Sequence, residues 1–413
     1  MKPPTSFITG ITLAACLCTN WLFAQTDSTS TTLNEPPNKS RGGATKFLLA
    51  GKATASWTNT ITHMPGSPDN KLHSFFPDGL MLMPLVKLNN KLFLDAQIEL
   101  ATNGTGGGAT MNLNELIIYY KVAPAINLFF GNFSPKYGLF LGVLDDFTNR
   151  YCTDPIGMAR GPQTQTGIGV QGGIQAGYSK LNYQLYLSNG PQYIVDSTGT
   201  NHGLLDYGNY TDNNKNKAIG GSIGFLPFSN SSLQMDVSGQ YAAKTGNAGT
   251  PFENISSTSW AVDLNYYHVF NPIMVRVLAE YNNTKTDNFN LYTDKADTAL
   301  KIPAFNNQLS GWFCGATVRA SGSHNTFLSN LELGARIGAY APPKYLIPQT
   351  VPGVVPGTNL MVSPWGENPE QQTTICLTYW FTWKTPLNFA YDILKQKDGP
   401  TVTTYTTRFI YFF

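Results

Sequence analysis

From about Thr45 to Phe413, apolar and polar residues alternate with a period of two, in runs of roughly 9–13 residues. That is the period of a strand whose two faces meet different surroundings. Between 92 and 100, Leu92, Leu94, Ala96, Ile98 and Leu100 share one face, and Phe93, Asp95, Gln97 and Glu99 the other. Ile168, Val170, Ile174, Ala176 and Tyr178 oppose a face of Gly and Gln, and Leu233, Met235, Val237 and Tyr241 oppose Gln234, Asp236, Ser238 and Gln240. Ile273, Val275, Val277 and Tyr281 oppose Arg276, Glu280 and Asn282, and over 327–338 Phe327, Leu331, Leu333 and Ile337 oppose Asn330, Glu332, Arg336 and Gly338. The pattern predicts sixteen strands, centred near 51, 83, 96, 117, 129, 171, 184, 222, 238, 264, 278, 314, 333, 378, 391 and 407.

The connections fall into two alternating classes. Short ones are Asn89-Asn90, Ala123-Pro124, Ser179-Lys180, Pro227–Ser231, Phe270–Pro272, Ser321–Thr326 and Thr385-Pro386. Between them lie mostly long ones, at 58–76, 101–110, 134–164, 190–216, 245–257, 284–307 and 341–370, with a short last one at 397–400. Such alternation is expected when one rim of a barrel carries turns and the other loops. The fold predicted is all-β: a sixteen-stranded antiparallel transmembrane barrel over 44–413, with short periplasmic turns and long extracellular loops.

Composition narrows the alternatives. Only 13% of the 413 residues are charged, about half the ~25% of a soluble domain. A soluble β-sandwich would need more Lys and Glu on its outer faces. Mean hydropathy of −0.17 is too polar for a bundle of spanning helices, and no apolar run of ~18 residues follows the N-terminal segment. The net charge of +2 excludes the concentrated basic excess of a nucleic-acid binder. Low charge with abundant Gly, Tyr, Phe and Thr fits strands with one lipid face and one wet face.

Lys2 and the apolar stretch Phe7 to Phe23 read as a signal peptide over 1–24, with the mature chain starting near Gln25 or Thr26. A rival reading makes Cys16, after Leu13-Ala14-Ala15, an acylated lipoprotein cysteine, but the apolar segment continues past it. Residues 25–43, rich in Thr, Ser, Asn and Pro, read as a flexible lead-in. The remaining cysteines, Cys152, Cys314 and Cys376, have neither metal-ligand spacing nor the density of a disulfide framework.

Strand registers set by the apolar residues assign Asp95, Glu99, Glu115, Lys121, Asp236, Asp263, Arg276, Glu280, Arg319, Glu332, Arg336, Asp392 and Arg408 to the lumen. None of them has to face lipid, where a mid-membrane Arg or Lys would cost ~2–4 kcal/mol. Trp57, Tyr120, Tyr178, Tyr266, Tyr281, Trp383 and Tyr411 lie near strand ends, where aromatic girdles form. The last strand carries Phe409, Tyr411 and Phe413 on one face. A terminal aromatic after an alternating strand is similar to the signal read by the outer-membrane barrel assembly machinery.

Asn114-Glu115-Leu116-Ile117-Ile118-Tyr119-Tyr120, followed by Phe130-Gly131-Asn132-Phe133-Ser134-Pro135-Lys136-Tyr137-Gly138-Leu139, resembles the strand–turn–strand stretch of the phosphate-selective porins O and P. Asn149-Arg150, Arg160-Gly161-Pro162, Gly167–Gln171 and Ser188-Asn189-Gly190 look like its continuation. The match covers residues 112–190, and the rest agrees in architecture. The resemblance implies a homotrimeric porin whose third loop, 134–164, folds into the lumen. Phosphate selectivity does not carry over, because the assigned lumen residues are eight acidic and five basic.

Within that loop Phe140–Leu144 is too apolar to wave in water and is expected to pack on the inner wall. Asp145, Asp146, Asn149 and Arg150 would then face the channel axis, with Arg160 nearer the loop exit. Arg150 is either a pore-lining cation or a brace for Asp145 or Asp146. His63, His73, His202, His268 and His324 form no pair at metal-ligand spacing, and no catalytic constellation or cofactor motif stands out. The expected function is passive diffusion of small hydrophilic solutes or ions across the outer membrane, anions among the candidates. The alternative is a barrel plugged by its loops that serves as a structural or docking subunit.

Overall fold

A computed structural model of the chain describes residues 46–102, 109–139, 150–156, 161–193, 205–207, 212, 214–249, 253–287, 307–342, 345–346, 361–362, 370–397 and 399–413. The leader, the lead-in, Phe140–Leu144, Asp145, Asp146, Asn149 and Arg160 lie outside them. Sixteen strands close into one antiparallel barrel. In chain order they are β1 (Lys46–His63), β2 (Asn70–Lys87), β3 (Leu92–Thr102), β4 (Ala109–Ala123), β5 (Ile126–Phe133), β6 (Gln165–Ala176), β7 (Ser179–Ser188) and β8 (Ala218–Leu226). They continue as β9 (Leu233–Ala242), β10 (Ser257–Phe270), β11 (Ile273–Thr286), β12 (Asn307–Arg319), β13 (Leu331–Ala341), β14 (Glu370–Thr382), β15 (Thr385–Gln396) and β16 (Thr401–Phe412). Each strand pairs with its neighbours in sequence, and β1 closes on β16 from Lys52↔Phe412 to His63↔Thr401.

The alternation sorts the two faces as a membrane barrel requires. On β13, Leu333 and Ile337 are exposed while Glu332 and Arg336 are buried. On β7, Leu185 and Leu187 are exposed while Gln184, Tyr186 and Ser188 are buried. The outside is therefore a band of Leu, Ile, Val and Phe, which lipid covers at no hydrogen-bonding cost, because a closed barrel leaves no unpaired strand edge. The chain is an outer-membrane β-barrel.

Outward aromatics mark two levels. Toward the loop rim, Trp260 packs on Tyr281 at 5.4 Å and Trp312 is Tyr281's partner on the next strand. Toward the turn rim lie Tyr120, Tyr178, Trp383 and Tyr411, each well exposed. The last residue seals the barrel: Phe413 and Gly51 exchange both backbone hydrogen bonds at 3.1 Å.

The turns expected at Ser179-Lys180 and Thr385-Pro386 fall two residues earlier, at Gly177-Tyr178 and Trp383-Lys384, and two boundaries differ by more. The connection expected at 58–76 is a tight turn, because β1 runs on to His63 and β2 starts at Asn70. The rim stretch Thr58–His63 is in water, lacks apolar alternation, and is held by its ladder to β16, with Thr60 beside Thr404. The strand expected from 327 begins at Leu331 instead. Before it, Asn325 caps a single helical turn, α1 (Thr326–Ser329), by accepting from the Phe327 and Leu328 amides.

Candidate functional site: the lumen and its third loop

Every one of the thirteen charged residues assigned to the lumen lies on the inward face of its strand. The ladders show this directly: Asp236 pairs with Asp263, Asp263 with Glu280, Arg276 with Tyr267, and Arg319 with Glu332. Asp95, Glu99 and Glu115 stand on β3 and β4. Arg276, Arg319 and Arg336 stand on β11–β13, about half a turn of the sixteen-strand ring away. The lumen therefore carries three carboxylates and Lys121 on the β3–β4 wall and three guanidiniums with Glu280 and Glu332 on the β11–β13 wall, with Asp236 and Asp263 on the strands before the latter.

The first described stretch of the third connection, Ser134–Leu139, runs into this space. Glu115 accepts the Ser134 amide at 3.0 Å, Gln184 the Lys136 amide at 2.9 Å, and Ser238 the Gly138 amide at 3.1 Å. Glu280 accepts the Leu139 amide at 2.8 Å, and Tyr137 Oη donates to the Trp260 carbonyl at 3.0 Å. In six residues the backbone crosses from β4 to β11, with wall side chains satisfying its N–H groups. Glycine is needed at 138: its φ is +63°, and a Cβ there would lie 2.5–2.7 Å from the Glu280 carboxylate. Enclosure in the barrel pulls the Lys136 ammonium below the ordinary lysine range, and Asp236 opposes that shift.

A second described stretch, Arg150–Ile156, climbs the opposite wall. Arg150 lies over the Trp380 ring at 4.6 Å, with Nε 3.8 Å from Glu332. Trp380 Nε1 donates to the same carboxylate at 3.0 Å. Tyr151 Oη donates to the Ala316 and Ala335 carbonyls, both at 3.3 Å. Arg336 donates to Thr153 Oγ1 at 3.0 Å and to the Asp154 carbonyl at 3.2 Å. Gln372 accepts the Ile156 amide at 2.9 Å. Arg150 is thus a wall-bound residue whose carboxylate partner is Glu332 of β13. The Asp145 and Asp146 expected beside it are outside the described residues.

Arg276 is different. It is half-buried on β11 with its charge near Glu332 and Arg150, and among the described residues it makes no hydrogen bond. Arg319 donates to the Ser329 carbonyl at 2.6 Å and to Asn330 Oδ1, so it holds the α1 turn. Arg408 and Lys121 also face inward, on β16 and β4.

Sequence reasoning missed an aromatic group inside the barrel. Ile117, Tyr119, Phe129, Phe133 and Tyr186 bury one another on the inward faces of β4, β5 and β7. Phe133 meets Phe129 edge-on at 4.7 Å and Tyr186 at 5.4 Å. The signal was present: Leu116–Tyr120 is apolar on both faces, and a strand facing open water would not be. The wall acceptors Gln184, Ser238 and Gln372 carried no comparable signal.

A sixteen-stranded barrel with a lipid-facing band, a polar charged wall and a loop folded along that wall defines the architecture of outer-membrane porins. Solved structures with this architecture include the outer membrane channel DcaP of Acinetobacter baumannii, with TM-score 0.53 and 13% identity over 89% of this chain and 97% of that one. An anion-selective porin from Comamonas acidovorans matches with TM-score 0.53 and 12% identity over 89% and 99% of the two chains. OprB of Pseudomonas putida matches with TM-score 0.56 and 10% identity over 89% and 94%. At these identities the likeness is one of fold. No family model and no curated protein matches the sequence.

Proposed function

We propose that the protein is a passive diffusion channel for small hydrophilic solutes and ions, with anions favoured, and that it assembles as the homotrimer implied by the resemblance over 112–190. The observation that carries this reading is the inner wall: the thirteen charged residues assigned to it all face the lumen, while charged strand residues that point outward, such as Lys285 and Lys395, stand at the loop rim. Sixteen strands enclose more space than wall side chains fill.

The preference for anions rests on how the charges are used. Glu99, Glu115, Glu280, Glu332 and Asp392 accept hydrogen bonds from wall or loop groups, which holds these carboxylates against the wall. The Arg276 guanidinium is not so engaged. The lipid-facing edge of β16, with Phe409, Tyr411 and Phe413, is in this reading the segment offered to the barrel assembly machinery.

Osmotic swelling of liposomes tests the channel directly. Vesicles holding the purified barrel should swell in isotonic solutions of small sugars and amino acids at rates that fall with solute size. Swelling no faster than in protein-free vesicles, with folded barrel present, would sink the reading.

A further inference from the structure

Cys152 and Cys376 stand in one buried group inside the barrel, one on the third loop and one on the wall. Cys376 is an inward residue of β14, buried, and packed with Tyr151 and with Ala390 of the neighbouring strand. Cys152 packs against the same group. The chain around Cys152 is clamped on both sides, by Tyr151 to the Ala316 and Ala335 carbonyls and by Thr153 to Arg336 and Asp392. Cys152 has φ +61°, a left-handed conformation that is unfavourable for a residue with a Cβ. A glycine or asparagine would adopt it more easily, yet a thiol is presented there. The Cys376 thiol leans over Gly334, whose missing Cβ leaves it room to turn about its own Cα–Cβ bond. Cys314 is exposed on the lipid face of β12, on the other side of the wall, and cannot join them.

We propose that Cys152 and Cys376 are a redox pair whose disulfide staples the third loop to the barrel wall. The oxidant is the disulfide of a periplasmic dithiol carrier. The Cys152 thiolate attacks one carrier sulfur, forming a mixed disulfide and releasing a carrier thiolate. The Cys376 thiolate then attacks the Cys152 sulfur, closing the Cys152–Cys376 bond and expelling the second carrier thiolate. The two thiol protons end on the carrier, which leaves as a dithiol, reduced by two electrons. An outer-membrane protein passes through a compartment where such bonds form and persist. Burial pushes the Cys152 thiol up to about 11, so exchange is slow in the folded barrel, and the bond forms during assembly while both thiols are reachable.

The bond itself does not depend on the channel reading, but its effect on the pore does, so the test has two separate readouts. Protein extracted from outer membranes is denatured in iodoacetamide without reductant and weighed. One adduct, on Cys314, with a Cys152–Cys376 cross-linked peptide after digestion, is the expected result; three adducts would overturn the pair. Cys314→Ser should then leave no adduct, while Cys376→Ser should expose Cys152 to alkylation. In planar bilayers, native barrel that has been unfolded, reduced with dithiothreitol and refolded should show brief current interruptions at least twofold more often than barrel refolded oxidised, and Cys152→Ser/Cys376→Ser should be indifferent to that treatment. A disulfide found by mass with current noise indifferent to reductant would remove the staple role.

Discussion

Replacing Arg276 with alanine should move the reversal potential in asymmetric salt toward cation permeation, by more than any other single lumen arginine. The reason lies in what each guanidinium is already doing. Arg319 holds the α1 turn, Arg336 holds the loop backbone at Thr153 and Asp154, and Arg150 lies on Trp380 beside Glu332. Arg276 makes no hydrogen bond among the described residues and is half-buried on the inward face of β11. A unit charge ~8 Å from a passing ion, at an effective dielectric of ~40, contributes about 1 kcal/mol, or roughly a fivefold change in permeability ratio. The shift should shrink between 0.1 M and 1 M salt, as the screening length falls from ~10 Å to ~3 Å. Arg150→Ala should move the potential less and disturb the loop more. An unchanged reversal potential in Arg276→Ala, with the barrel intact, would take this residue out of the ion path.

Phe133→Ala should be the most damaging single truncation in the lumen. The ring is 1% exposed, edge-on to Phe129 and Tyr186, and it is the last residue of β5 before the loop turns inward. A buried Phe→Ala change costs ~3–5 kcal/mol where neighbours cannot collapse into the space, and barrel strands fixed by their ladders have little freedom to do so. The urea midpoint of the barrel in detergent should fall, and protease should cut the third loop sooner than in the native chain. An unchanged midpoint would mean that the aromatic group merely lines the lumen.

The barrel was legible because its two solvents impose a period of two, and its charge-poor outer faces excluded water there. Leu333 against Arg336, or Leu185 against Gln184, can be sorted by type alone. The pattern failed where only one solvent acts: Thr58–His63 and Asn70–Asp78 stand at the rim, so β1 and β2 looked shorter than they are. It also failed where the lumen is not wet, at Ile117, Tyr119 and Phe129, whose partners come from other strands.

The course of the third loop was readable only as far as its ends, Pro135–Gly138 and Gly161-Pro162. Its supports are Gln184, Ser238, Glu280 and Gln372, up to 216 positions away in sequence. Uncharged polar residues facing a lumen look alike whether they hold water or a backbone amide. For the same reason Arg150 could be singled out as important while its partner, Glu332, could not be named.

Single-channel recording in a planar bilayer bears most directly on the central claim. Purified barrel added to one side of the membrane should produce discrete, uniform conductance steps. In asymmetric salt their reversal potential should lie on the anion-permeable side of zero. A membrane that stays silent while folded, inserted barrel is present would contradict the channel and leave the lumen plugged by its own loops.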